Sequence, residues 1–273
     1  MKSRFFLNCG IALVAMFTFA CSESESSADS LKDYFDNLSF TNPEDGSSSS
    51  FSGLNPDSVV IGEFKDVRDE RTYKTVKIGN QTWMAENLNY AQDTLNESWC
   101  YDNDPTNCQK KGRMYSWMGA INRTAEECGY QKACSLTYPV QGICPEGWHI
   151  PSKEEFEELI ETVGGYAIAG ARLKSKENWD PAWNGCVGTD DYQFSAVSGG
   201  WYRPYSEHFG EGNYYASIWS STELEDKYRD KEEDRHIMVY TFRFFNDKDS
   251  VYIGTSNRDY GLSVRCLKDD SKK

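Results

Sequence analysis

The run CPEGWHIPSKEEFEEL, residues 144–159, constrains the fold more than any other part of this sequence. Ser152 and Glu155 form a capping box, in which each side chain accepts a hydrogen bond from the backbone N–H of the other residue. Four apolar residues with helical spacing define one side of the helix that follows: Phe156, Leu159, Ile160 and Val163. The run therefore predicts an amphipathic helix that begins at Ser152 and ends at Gly164-Gly165.

Strand-like segments lie on both sides of this helix. In RTYKTVKIGNQTWM, alternating residues predict two strands joined by a two-residue turn at Gly79-Asn80, with order beginning near Asp66. Short helices are predicted over residues 115–121 and 168–174. Five later segments have the composition of strands: YQFSAVSGGW, YASIWSST, RHIMVYTFRFF, SVYIGTS and LSVRCLK. Strands, then helices, then strands again, with no βαβ rhythm, indicate an α+β fold.

The amino terminus has the features of an export signal. Lys2 and Arg4 precede an apolar run, residues 5–20, that is too short to span a bilayer. Cys21 follows a small residue and precedes a polar, acidic stretch. This arrangement resembles a bacterial lipoprotein signal, in which Cys21 becomes the acylated first residue, although Thr18-Phe19 departs from the usual pattern. Ordinary secretion, with Cys21 left as a thiol, is the alternative, and in both cases the mature chain is expected outside the cytosol.

Composition divides the chain into a signal, a tether and a domain. Residues 1–20 are assigned to the signal peptide. Residues 21–62 are rich in serine and acidic residues, cannot bury much apolar surface, and are predicted to form a disordered tether that starts at the lipidated cysteine. Residues 63–269 are predicted to form the folded domain, and residues 270–273 a short tail.

Charge excludes one class of partner. The formal net charge is -14 and the sequence pI is about 4.7, whereas nucleic-acid binding requires clustered lysines and arginines. Mean hydropathy is -0.70, and nothing after the amino terminus has the character of a membrane span. Contact with a membrane is therefore expected only through the lipid anchor.

The cysteines predict disulfide bonds. Seven of the nine lie beyond the signal region, and outside the cytosol such cysteines are usually paired. Cys100 with Cys108 and Cys128 with Cys134 would close short local loops. Because seven is an odd number, one cysteine is left over. No CxxC pair is present, which argues against a structural zinc ion.

Several motifs in order resemble one family. They are YKTVKIGNQTWMAENLNY, CYDNDPTNC, KGRMYSWMGA, GICPEGWHIPSKEEFEEL, GTDDYQFSAVSGGWY, IWSST and GLSVRCLK. Together they cover about residues 66–269 and resemble the Fibrobacter succinogenes major paralogous domain, a family of extracytoplasmic bacterial domains. Two features depart from the family: Phe156 stands where members usually place tryptophan, and Cys128, Cys134 and Cys186 look like local additions.

This family in turn resembles the C-type lectin-like superfamily, which includes formylglycine-generating oxidases. The resemblance implies a compact α+β domain with two helices, a small twisted, mainly antiparallel sheet and long disulfide-tied loops. It also implies a disulfide between Cys144 and Cys266, which ties the segment before the first helix to the last strand. Cys186 is then the odd cysteine, unless it takes one of the other partners.

Candidate ligand-binding residues lie in an aromatic stretch. In the superfamily, ligands are held in a long loop region, to which residues 200–219 correspond. Flat aromatic rings suit the CH faces of sugars, and interleaved polar groups suit their hydroxyls. The predicted ligand-binding residues are Tyr202, Tyr205, Glu207, Phe209, Asn213, Tyr214 and Tyr215. Trp201 and Trp219 are assigned to the core.

Signals for catalysis or metal binding are weak. The histidines are His149, His208 and His236, and the sequence has no nucleophile elbow, zinc-protease motif or phosphate-binding glycine loop. His149 precedes the helix cap and is interpreted as a packed, hydrogen-bonded residue. Two acidic runs, Asp190-Asp191 and residues 246–249, are better explained as turns than as calcium ligands. We predict no catalytic residue and no cofactor, with calcium as the one ion left open.

These inferences favour a binding module. The sequence predicts an extracytoplasmic, surface-tethered adhesion domain whose partner is a plant-fibre polysaccharide or a cell-surface protein. One alternative is a cryptic enzyme, such as a glycosidase or a protein modifier, because acidic residues are too numerous for sequence alone to exclude a catalytic pair. The other is a structural domain of the cell envelope with no discrete ligand.

Overall fold

A computed structural model describes residues 53–91, 97–129, 132, 134–180, 187–224 and 238–269. The predicted signal peptide, the lipidation site Cys21, most of the tether, Cys186, Trp183 and His236 lie outside these residues, and what was expected of them stays a prediction. In the described part of the chain, no helix combines the length and the apolarity needed to cross a bilayer.

The described elements confirm an α+β fold. The strands are β1 (Val60–Lys65), β2 (Thr72–Ile78), β3 (Gln81–Met84), β4 (Ser98–Trp99), β5 (Met114–Tyr115), β6 (Trp148–His149), β7 (Trp201–Arg203), β8 (His208–Gly210), β9 (Tyr215–Glu223), β10 (Met238–Phe245), β11 (Val251–Asn257), β12 (Leu262–Ser263) and β13 (Leu267–Lys268). The α-helices are α1 (Pro105–Lys111), α2 (Trp117–Ile121), α3 (Ala125–Cys128), α4 (Lys153–Thr162) and α5 (Tyr166–Leu173).

The strands form two sheets and a separate hairpin. One sheet has the order β1-β2-β3-β13-β6, the other has the order β11-β10-β9-β12-β5-β4, and β7 pairs with β8 alone. The paired strands are antiparallel except for β12 beside β9. The first sheet joins the beginning of the domain to its end, because β13 pairs with β3. The sheets are more extensive than the single small sheet expected. Helices α2, α4 and α5 confirm the helices predicted from the sequence, while α1 and α3 were not predicted.

Helix α4 forms as its sequence predicts. The Ser152 hydroxyl accepts the Glu155 N–H at 3.2 Å, and the Ser152 N–H donates to the Glu155 carboxylate at 2.7 Å. The predicted apolar residues are fully buried: Phe156, Leu159, Ile160 and Val163. The Phe156 ring lies 5.4 Å from that of Trp83 and 4.9 Å from that of Phe242. The helix therefore packs one side against strands from both sheets.

The hairpin of β2 and β3 and the strands β9, β10 and β11 confirm their predictions, but the segment at residues 192–201 does not form a strand. Gln193 and Ser195 have positive φ values of 52° and 53°, which a strand does not allow. The Ser195 N–H donates to the Asp190 carboxylate at 2.8 Å instead of to a neighbouring strand. The backbone here is therefore fixed by a side chain, and only at Trp201 does a strand begin.

Two boundaries also differ from prediction. The folded part of the chain begins earlier than Asp66 and earlier than the predicted domain start at residue 63. Strand β1 pairs with β2, and the Leu54 N–H donates to the Thr162 carbonyl at 2.7 Å. At the other end LSVRCLK is split, because β12 belongs to one sheet and β13 to the other.

The structure contains the three predicted disulfides. Cys100 is bonded to Cys108, Cys128 to Cys134, and Cys144 to Cys266. The last of these closes a loop of 122 residues, with 5.9 Å between the two Cα atoms. It joins the segment that precedes β6 to the segment that precedes β13, two strands that are themselves paired.

His149 connects the helix cap to the end of the domain. It is buried, and its ring nitrogens lie 2.9 Å from a Glu155 oxygen and 2.6 Å from an Asp269 oxygen. Burial opposes the charged form of the ring, but the hydrogen bonds and charges of the two carboxylates outweigh it, so the pKa of His149 is raised. The interpretation of this residue as packed and hydrogen-bonded is confirmed.

Replacing His149 with glutamine should destabilise the protein most in mildly acidic solution. A histidine with a raised pKa stabilises the fold fully below its unfolded pKa of about 6.5, and the effect is lost as pH rises through the folded value. Burial raises the pKa of Glu155, but hydrogen bonds from His149 and Ser152 reverse this and leave it lowered. The stabilisation that the Glu155 carboxylate gives to the fold is therefore present above about pH 4.3, and it is lost as pH falls through the folded pKa of Glu155.

Urea unfolding of wild type and His149→Gln across pH tests this expectation. The difference in unfolding free energy between wild type and His149→Gln should be largest between about pH 4.3 and 6.5 and should become smaller at higher pH. His208→Gln is the matched control because His208 is exposed. A difference in unfolding free energy that stays constant with pH would contradict the claim that a charged His149 stabilises the fold.

Candidate functional site

The hairpin of β7 and β8 lies beside the six-stranded sheet and has two different sides. Trp201 pairs with Gly210, Tyr202 with Phe209, and Arg203 with His208. Because successive side chains of a strand point to opposite sides, Trp201, Arg203 and His208 share one side of the hairpin, while Tyr202 and Phe209 share the other.

The inner side attaches the hairpin to the domain. Tyr202 is buried, and its ring lies 4.4 Å from that of Phe209 and 4.8 Å from that of Trp99. The Phe209 ring lies 5.5 Å from that of Tyr101. Backbone hydrogen bonds of 3.0 and 2.8 Å between Tyr202 and Gly261 add to this attachment. The hairpin is thus held by ring packing and by hydrogen bonds, which fixes what its outer side displays.

Three aromatic rings meet at the outer side and are here called the aromatic face: Trp201 and Tyr205 of the hairpin, and Tyr260 of the turn after β11. Trp201 lies 6.4 Å from Tyr260, with 28° between the ring planes. Tyr205 lies 6.4 Å from Tyr260, and the two hydroxyls are 3.3 Å apart. Tyr205 is 73% exposed, whereas Trp201 and Tyr260 are half-buried.

Gly210 and Glu211 determine how the Trp201 ring lies. A Cβ atom at Gly210 would stand 2.2 Å from the indole, so only glycine lets the ring rest directly on the opposite strand. The Trp201 indole N–H donates a hydrogen bond to the Glu211 side chain, and burial raises the pKa of that carboxyl. The indole is therefore supported by the opposite strand and held at its edge, while Trp201 as a whole stays half-buried.

Polar groups border the aromatic face. The Arg203 guanidinium lies over the face itself, 4.3 Å from the centre of the Trp201 ring and 5.3 Å from that of Tyr260. The imidazole of His208, an exposed residue, lies 5.4 Å from the Trp201 ring. Glu207 is exposed at the hairpin tip with a φ of 48°. Hydrogen-bond donors and acceptors thus stand beside flat apolar surface.

The predicted ligand-binding residues separate into three groups. Tyr205 and Glu207 lie on or beside the aromatic face. Tyr202 and Phe209 support it from the inner side. Asn213, Tyr214 and Tyr215 lie elsewhere: Asn213 accepts a hydrogen bond from the Lys111 ammonium at 2.9 Å, and the two tyrosines pack against Phe245.

Two members of the aromatic face were not predicted. Trp201 was assigned to the core together with Trp219; the structure buries Trp219 completely, while Trp201 packs against the same core cluster but stays half-buried. Successive side chains of a strand point to opposite sides, so the order Trp201, Tyr202, Arg203 already indicates in the sequence that Trp201 and Tyr202 lie on different sides. Tyr260 comes from the turn after β11, and nothing local in the sequence places it beside Tyr205.

The described residues include no group of three or more His, Cys, Asp or Glu side chains placed to hold a metal ion. In the acidic pair considered for calcium, the Asp190 carboxylate accepts hydrogen bonds from the Ser195 N–H at 2.8 Å and hydroxyl at 2.6 Å. An Asp191 oxygen lies 4.0 Å from Arg172. These contacts give both carboxylates partners within the protein.

The fold and its cystines define a disulfide-bonded α+β domain of an oxidising, extracytoplasmic compartment. Within that class, residues 76–268 match the family described as the Fibrobacter succinogenes major domain. The chain belongs to this family, which confirms the identification from its motifs. Searches of curated proteins and of solved structures found no match.

Proposed function

We propose that this protein is a surface-tethered binding module that holds a polysaccharide on its aromatic face. The observation that carries the proposal is the Trp201 ring, which Gly210 and Glu211 hold in place while part of it stays exposed beside Tyr205 and Tyr260. A fixed ring loses little conformational entropy on binding, which favours affinity.

The chemistry of the aromatic face suits a sugar chain. The CH faces of pyranose rings pack on flat aromatic surface, while the borders of the same rings carry hydroxyls. Arg203 supplies donors and Glu207 supplies acceptors at the border of the aromatic face. Display on a hairpin that a rigid domain holds is the usual arrangement of a recognition surface.

The C-type lectin-like fold is part of this proposal. Three features support it: the Cys144–Cys266 disulfide, the sheet that joins β1 to β13, and the irregular residues 187–200 that lead into the hairpin. Acylation at Cys21 would place the domain at the outer membrane, at the end of a tether. An enzyme or a purely structural domain are the alternatives, and neither has a specific observation among the described residues.

Replacing Tyr205 and Tyr260 together with alanine should weaken binding to plant fibre at least about tenfold, the effect of removing two central aromatic contacts. Binding is measured by depletion of the purified domain onto cellulose and xylan fibres. Tyr205→Phe keeps the ring and should retain most of the binding.

Tyr138→Ala is the matched control, because Tyr138 is a 56% exposed tyrosine that hydrogen-bonds to Ser221 and is not part of the aromatic face. Equal loss of binding in the control and in the double variant, or no binding by wild type to either fibre, would contradict the proposed function.

A further inference from the structure

A second surface feature is a cleft of about 350 Å³ that the aromatic face does not include. Its walls come from the segment after β3, the end of α1 and the segments after α5. Lys111 lines the cleft and donates hydrogen bonds to the Gly212 carbonyl and to Asn213, in the segment that follows the aromatic hairpin. The volume is at the lower end of the range for ligand sites, about 300–1,000 Å³.

The cleft is basic although the protein is acidic. Six basic residues line it: Arg71, Lys74, Lys110, Lys111, Lys176 and Arg265. Three acidic residues also line it: Glu86, Glu177 and Asp190. The cleft thus has a formal excess of three positive charges in a chain whose net charge is -14. Such a concentration of one sign of charge focuses an electrostatic field on ligands of the opposite sign.

Two of the acids are already engaged by the protein. The Asp190 carboxylate accepts two hydrogen bonds from Ser195. The Glu86 carboxylate accepts the backbone N–H of Lys74 at 2.8 Å. The third, Glu177, is exposed. Hydrogen bonding leaves the carboxylates charged, but the charges of Asp190 and Glu86 act on the buried Arg265, and three acidic residues offset six basic ones only in part.

The basic side chains at the rim form no close ion pair with a carboxylate of the described residues. Lys74, Lys110 and Lys176 are exposed, and Arg71 is half-buried. Arg71 donates to the amide oxygen of Gln109 at 3.2 Å. Across the described ranges, none of these four residues forms an ion pair. Their charges remain available to a ligand.

Arg265 makes the floor of the cleft rigid. It is fully buried and donates to the Asn87 amide oxygen at 3.1 and 2.9 Å, and to the carbonyls of Phe194 and Ser195. Asn87 in turn donates to the Lys111 carbonyl at 2.9 Å. The floor thus joins the segments that carry Lys111 and Asp190 through a continuous set of hydrogen bonds.

We propose that this cleft binds the carboxylate groups of an acidic polysaccharide, one built from uronic acid units. The rim lysines and Arg71 would pair with the carboxylates, and the amides of Gln109 and Asn178 suit the neighbouring hydroxyls. A chain of this net charge repels polyanions elsewhere on its surface, so the cleft also determines where such a ligand binds. The proposal concerns a different site from the aromatic face and does not depend on it.

Isothermal titration calorimetry at low ionic strength tests the proposal with three probes: an oligomer of galacturonic acid, the same oligomer with its carboxyls methyl-esterified, and inorganic phosphate. The acidic oligomer should bind, added salt should weaken its binding, and the methyl-esterified oligomer should not bind. Binding of the ester as tightly as the acid, or of phosphate without the acidic oligomer, would overturn the proposal.

Two double variants of equal net charge locate the site. Lys74→Gln with Lys176→Gln removes two rim charges and should weaken the acidic oligomer about tenfold. Lys77→Gln with Lys268→Gln removes two exposed lysines outside the cleft and should change affinity little. Equal effects of the two double variants would show non-specific attraction and reject the cleft. The Tyr205→Ala, Tyr260→Ala variant should still bind this oligomer. The proposal for the cleft and the proposal for the aromatic face can therefore be rejected independently of each other.

Discussion

Alanine at both Cys144 and Cys266 is expected to lower the free energy of unfolding by about 5 kcal/mol, the value for a loop of this length in the chain-entropy model. The disulfide closes 122 residues, so its removal greatly enlarges the set of unfolded conformations. Both cysteines are fully buried, and the substitution also removes packed sulfur atoms. Urea unfolding followed by tryptophan fluorescence, without reductant, measures the loss.

The Cys100–Cys108 disulfide provides the matched comparison. It closes only 8 residues, and the same model gives about 2.5 kcal/mol for its removal by a double alanine variant. The two losses should therefore differ by about twofold. Equal losses would contradict the view that the long disulfide stabilises the fold by connecting the two ends of the domain.

Phe156→Ala should cost about 3–5 kcal/mol of unfolding free energy, as expected for a large buried ring removed from a well-packed core. The ring is fully buried and lies between Trp83 and Phe242, at 5.4 and 4.9 Å. Those rings belong to different sheets, so the cavity would open where α4 joins them. Equilibrium unfolding in urea gives the loss directly.

Phe64→Ala is the control for this change. Phe64 is half-buried on β1 and contacts Trp148 at 5.1 Å, so its loss should be about 1 kcal/mol. If Phe156→Ala lowers the unfolding free energy no more than Phe64→Ala does, the conclusion that Phe156 packs α4 against both sheets would be contradicted.

The elements that could be predicted from sequence are those whose signals are local. Ser152 and Glu155 are three residues apart, and the helix they begin forms as their chemistry requires. The turn at Gly79-Asn80 is equally local, and Gly79 has a φ of 59°. Each of these features depends on neighbours along the chain, which the sequence displays directly.

What could not be predicted depends on contacts between distant residues. The segment at residues 192–201 has the composition of a strand, but the hydrogen bond that the Ser195 N–H donates to the Asp190 carboxylate and the positive φ values override that preference. Tyr260 reaches the aromatic face only because the turn after β11 lies beside the hairpin. The basic cleft joins residues as far apart as Arg71 and Arg265, and no short motif records that they meet.

The central claim, that the aromatic face holds a polysaccharide, is tested most directly by the indole N–H signals of the eight tryptophans in a nuclear magnetic resonance titration. Trp201→Phe assigns the signal of Trp201. On addition of a cellulose or xylan oligomer that binds, the account predicts that the Trp201 signal shifts while that of the fully buried Trp219 does not. Binding of the oligomer that leaves the Trp201 signal unmoved would contradict the account.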